Sequence, residues 1–165
     1  MIKLKLFFII TLLAMFIFAC GESDTGESNT NEDGIVTSRI INNDIVHTIA
    51  DFEAAGLKKP KSIQADAVDK KTGEPITPNA TEIHVGFFKS TMGPKDIELR
   101  IYSSHQEALD FGVNPAEKTI NAAVEAGGAV KGAGTFAKSS YGAYIVSGNA
   151  IMLCQVQIEV CDELA

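Results

Sequence analysis

The stretch YGAYIVSGNAIMLCQV, residues 141–156, decides the fold. Two apolar runs flank Gly148-Asn149, and Gly and Asn take up the backbone angles of a two-residue hairpin turn. Such a turn fixes the register: Val146 faces Ile151, Ile145 faces Met152, Tyr144 faces Leu153 and Ala143 faces Cys154. Side chains alternate between the faces of a strand, yet here both sets are apolar. Both faces of the hairpin are therefore buried, which puts it at the centre of a sheet. The chain then predicts a short helix, about Gln157 to Leu164, with Cys161 and Leu164 on its inner face.

Moving towards the N-terminus, TEIHVGFFK and DIELRIY each alternate. Ile83, Val85 and Phe87 fall on one face of the first segment, and Ile97, Leu99 and Ile101 on one face of the second. Joined by TMGP, they predict an antiparallel pair with one buried face. Its polar face would then carry Glu82, His84, Glu98 and Arg100 together. Between the two hairpins, SSHQEALDFG opens a helix in which Ser104 and Glu107 form a capping box. Ala108 and Phe111 are expected to point inward, with Gly112 as a stop. NPAEKTINAAVEAGG restarts on Asn114 as N-cap, with Pro115 at the first helical position. Ile120 and Val124 lie four apart, and Gly127-Gly128 closes the segment. This reads as two short helices, or one helix broken at Gly112.

Near the start of the domain, Ile41, Ile45, Ile49 and Phe52 recur at spacings of four, four and three. That spacing predicts a helical face, capped at Asn43 or Asp44 or beginning as early as Arg39, and ending at Gly56. Ile63, Ala65 and Ala67 suggest a short strand, and DKKTGEP a turn. The order of elements implies an α+β fold of two layers: an antiparallel sheet of two hairpins with helices on one face.

The N-terminus is different in kind. Lys3 and Lys5 precede an apolar run from Leu6 to Ala19, about 14 residues long, where a spanning helix needs about 20. A short apolar core behind a positive end has the form of a secretory signal. The run stops at Ile17-Phe18-Ala19-Cys20. These residues resemble the lipobox of bacterial lipoproteins, which is an aliphatic residue, a small residue, Ala or Gly, then Cys. Ile17, Ala19 and Cys20 match, and Phe18 departs from the usual small residue. The resemblance implies diacylation of the Cys20 thiol and cleavage just before it. Two acyl chains hold a protein on a bilayer far better than one. The segment GESDTGESNTNEDG then carries five acidic and no basic residues, the composition of a disordered tether. Three regions follow: a lipoprotein signal peptide at 1–19, an acidic tether at 20–34 and an extracytoplasmic domain at 35–165. The domain is similar to small bacterial lipoproteins of unknown role over IELRIYSSHQEALDFG and YGAYIVSGNAIMLC, and that resemblance implies no reaction.

Charge limits the partners. The 165 residues include 14 basic and 21 acidic ones, a formal charge of −7. Losing Lys3 and Lys5 leaves 12 basic against 21 acidic residues, a formal −9. Nucleic acid and polybasic membrane contact are disfavoured, because both need a basic face. The Gly-rich stretch AVKGAGTFAKSS lacks the order of a phosphate loop, and no cofactor motif is evident.

With Cys20 acylated, Cys154 and Cys161 remain as an even pair in an oxidising compartment. A strand-to-helix disulfide is expected, the alternative being two buried thiols. None of His47, His84 and His105 has the spacing of a metal pair. Ser103-Ser104-His105 is explained by capping, and no Gly-x-Ser-x-Gly element supports a serine hydrolase. The expectation is a non-enzymatic binding or interaction module held on a bacterial membrane, at the cell surface or in the periplasm, by Cys20. The alternative is a small ligand carrier or enzyme using the polar face around His84 and Arg100. An envelope protein is the further candidate partner.

Overall fold

The computed structural model describes residues 28–30, 36–125 and 141–165. The expected signal peptide, Cys20, most of the expected tether, Gly127-Gly128 and the Gly-rich stretch after them lie outside these residues. Among the described residues the strands are β1 (Ser28–Thr30), β2 (Val36–Ile41), β3 (Lys58–Ile63), β4 (Glu82–Ser90), β5 (Gly93–Ile101), β6 (Tyr141–Ser147) and β7 (Ala150–Gln155). They form one seven-stranded sheet in the order β1-β2-β6-β7-β5-β4-β3.

The β6–β7 hairpin sits at the centre of that order, with the four side-chain pairings that its turn dictates. Gly148 has φ +53°, and a Cβ there would run into the Ile45 carbonyl, so the turn needs glycine on two counts. The expected two-layer α+β arrangement, with helices on one face of two antiparallel hairpins, is overturned. The sheet is single and mixed: β2 joins β6 in parallel, through Ser38–Tyr144 to Ile41–Ser147. Helical segments pack on both faces. One face buries Phe52, Ile97, Leu99, Ile145, Met152 and Cys154 with Val160 and Leu164. The other buries Tyr144, Val146, Ile151 and Leu153 under Ala108, Ala116 and Ile120. Two covered faces explain why this hairpin is apolar throughout.

The predicted helix over residues 43–55 is shorter than expected. Val36–Ile41 is β2, whose β-branched Val, Thr and Ile suit a strand. Helix α1 is only Ile49–Ala55. Its cap is Thr48, whose N–H and hydroxyl both donate to the Asp51 carboxylate, at 2.7 and 2.8 Å. Gly56 ends it as expected. Ser28–Thr30, assigned by composition to the tether, pairs antiparallel with β2 as an exposed edge strand.

Gly112 does not stop the helix that follows β5. Helix α2 (His105–Glu107) runs through a π-helical turn (Ala108–Gly112) into α3 (Val113–Glu125). Ser104 caps it by accepting the Glu107 N–H at 3.2 Å. Pro115 lies inside α3 and has no N–H to offer the turn before it. The wide π turn sits at that point. Gly112 is there for closeness: a Cβ would fall 2.7 Å from the Tyr102 hydroxyl and collide with Ile151. Phe111, expected inside, is exposed. Helix α4 (Glu159–Asp162) closes the chain with Cys161 and Leu164 buried.

Candidate functional site

The four polar residues expected on one face of β4 and β5 lie on two. The β4–β5 turn has two residues, and Ser90 pairs with Gly93. An even turn sets odd-numbered residues of β4 opposite even-numbered residues of β5. His84 therefore opposes Leu99, and Glu82 opposes Ile101. Arg100 opposes Ile83 and Glu98 opposes Val85, through the sheet from His84. A joint His84–Arg100 site does not exist. His84 Nε2 lies 2.8 Å from the Glu82 carboxylate, in a pair at the sheet margin.

Arg100 is the more informative residue. Only 3% of its side chain is exposed. Nε donates to Glu98 Oε1 at 2.8 Å. One Nη donates to Thr119 Oγ1 at 3.1 Å, and that hydroxyl donates on to the Pro115 carbonyl at 2.8 Å. The ion pair thus lies between β5 and α3. Three tyrosines share this face. Burial pushes Tyr102 up to about 12. It does the same to Tyr144, whose hydroxyl donates to Glu117 at 3.2 Å. Burial and the facing Glu98 carboxylate hold Tyr141 well above the ordinary phenol range. All three stay neutral donors at any physiological pH. Arg100 Nη1 and the Tyr102 hydroxyl are buried without a hydrogen-bond partner among the described residues. Such a donor costs free energy unless it meets a polar group. Sequence reasoning found Arg100 but not Thr119, because nothing local shows that α3 crosses over β5.

A second polar group surrounds the β6–β7 turn. His47 Nε2 lies 3.0 Å from Ser147 Oγ, and its ring tilts against Phe52 at 5.1 Å. A serine–histidine contact is the start of nucleophilic chemistry, but Ser147 is wholly buried and cannot meet a substrate. His105 Nδ1 lies 2.7 Å from the Gly148 carbonyl. A carbonyl only accepts, so Nδ1 carries the proton. These contacts hold the turn in place.

Cys154 and Cys161 form the expected disulfide, Cα–Cα 5.7 Å, tying β7 to α4. Among the described residues, no three His, Cys, Asp or Glu side chains are grouped to hold a metal ion. No helix among them is long and apolar enough to cross a membrane.

Residues 48–128 match a family of unknown function (DUF6810). The matched span starts at the α1 cap and runs past the end of α3, so it contains Glu98, Arg100 and Thr119 but neither β2 nor the central hairpin. No curated protein and no solved structure matches the chain.

Proposed function

We propose that the chain is a bacterial lipoprotein whose domain lies outside the cytoplasmic membrane and works by binding rather than by catalysis. The observation that carries this reading is the Cys154–Cys161 disulfide. Disulfides persist in oxidising compartments and are rare in the cytosol. The lipobox-like Ile17-Phe18-Ala19-Cys20 supplies the anchor, through two acyl chains on Cys20. The decisive experiment is Cys20→Ala, expressed beside the natural chain with a labelled fatty acid. The variant is expected to lose both the acyl label and membrane retention. Retention of both overturns the proposal.

A second reading, a carrier of a small polar ligand, is favoured by Arg100 Nη1, which has no hydrogen-bond partner among the described residues. Its ligand would present an acceptor to that donor from the α3 side of the sheet. Native mass spectrometry of the full chain would then show a retained small molecule, lost in Arg100→Met. If each protein shows only the mass of its own polypeptide, with nothing retained, this reading is excluded.

A further inference from the structure

Exposed aliphatic side chains gather at one end of the sheet, and the described chain begins at that end. The strand register shows this directly. Ser28 pairs with Arg39 near the end of β2, and Ile41 at that end pairs with Ser147. Ser147 pairs with Ala150, Ala150 with Ile101, Ile101 with Glu82, and the adjoining Ile83 with Ile63. This row ends one margin of all seven strands. The connections that emerge from it carry Ile45, Val46, Val68 and Ile76, all exposed, and Ile63 lies at the margin itself. They are fixed in place. A Cβ on Gly148 would touch the Ile45 carbonyl, and Val68 bridges Pro75 beside the Ile76 N–H to Ala67 carbonyl bond.

Cys20 precedes Ser28 by eight residues, which reach at most about 27 Å when fully extended. We propose that this end of the domain rests on the bilayer that holds Cys20, with Ile45, Val46, Ile63, Val68 and Ile76 entering the interfacial region. The inference rests on the anchoring proposed above. A short tether holds the apolar end at high local concentration next to the membrane, so contacts too weak to bind a free protein suffice. The charges along residues 64–76 are of mixed sign: Asp66, Asp69 and Glu74 beside Lys70 and Lys71. The contact is therefore apolar rather than electrostatic, in keeping with an acidic domain. Arg100 and its neighbours stay inside the fold, and the opposite end, with Met92 and Val156, faces away.

The chain contains no tryptophan, so one introduced indole reports a single position. Full-length protein bearing Val46→Trp, Val68→Trp or Val156→Trp is reconstituted through its own lipid into phosphatidylethanolamine–phosphatidylglycerol vesicles. Half the samples contain brominated acyl chains. All three sites are exposed, so the variants keep the fold, and circular dichroism checks it. Brominated lipid is expected to quench Val46→Trp and Val68→Trp at least about two-fold more than Val156→Trp, as interfacial burial requires. Equal quenching at all three sites, or stronger quenching of Val156→Trp, on protein whose mass shows an acylated Cys20 overturns the docking and leaves the anchor standing. An unmodified Cys20 overturns the anchor, and the docking falls with it.

Discussion

Asn149 and His47 are joined by two hydrogen bonds across 102 residues of sequence. Asn149 Oδ1 accepts the His47 N–H at 2.6 Å, and its Nδ2 donates to the His47 carbonyl at 3.3 Å. The same amide donates to the Tyr102 carbonyl at 2.8 Å. One buried side chain thus fastens the turn to the segment before α1 and to the end of β5. Asn149→Ala leaves these backbone groups without their partner and is expected to cost about 3 kcal/mol. Urea unfolding checks it; a loss near zero would mean that the turn is held by its backbone alone.

The Glu98–Arg100 pair behaves as a unit. Truncating either partner leaves the other charge buried, so Arg100→Met and Glu98→Leu are each expected to destabilise by about 3 kcal/mol. The double variant is expected to recover much of that loss, because two apolar side chains replace two desolvated charges. A double-mutant cycle in urea measures the coupling, and additive losses would refute it.

Gly112→Ala tests the close approach of the π turn to the sheet. The added methyl meets the Tyr102 ring and Ile151, and the expected loss is about 2 kcal/mol from overpacking. This opposes helix propensity, by which alanine in place of glycine stabilises a helix. Thermal unfolding decides between the two: a rise in Tm would show that the helix has room to move away.

Burial holds His47 below the usual histidine value of 6.5, with Asp51 partly opposing the shift. The folded state then binds fewer protons than the unfolded state between the two pKa values, so acid favours unfolding. The contribution is fully present above about pH 6.5 and is lost as pH falls through the lower folded value. Urea midpoints from pH 8 to 5 are expected to fall, and His47→Gln to flatten the fall. An NMR titration placing His47 at or above 6.5 would contradict this.

The central hairpin was legible pair by pair because a Gly-Asn turn carries its own register. The cap at Ser104 and the stop at Gly56 are also local chemistry, although the Glu107 carboxylate accepts from Ser103 Oγ instead of completing the expected box. The Ile41, Ile45, Ile49, Phe52 spacing misled because Ile41 belongs to β2, whose partner β6 lies more than a hundred residues away. The split of Glu82 and His84 from Glu98 and Arg100 has a different cause. Each strand's alternation was read alone, whereas the even turn between them couples an odd face to an even one. Gly112 and Asn114-Pro115 have the composition of a helix break. Only packing against Tyr102 and Ile151 shows that the helix continues through them.

The central position of β6 and β7 sets the order in which the sheet can close. The chain is made from its N-terminus, so β1 and β2 exist long before their neighbour β6, and β3, β4 and β5 before their neighbour β7. Residues 141–155 stitch two earlier fragments together, and such long-range pairing is slow. A chain cut short before Tyr141 is therefore two unjoined pieces with open edges. On the export proposed above, the sheet would close only after nearly the whole chain has crossed, which would keep the polypeptide threadable throughout its passage.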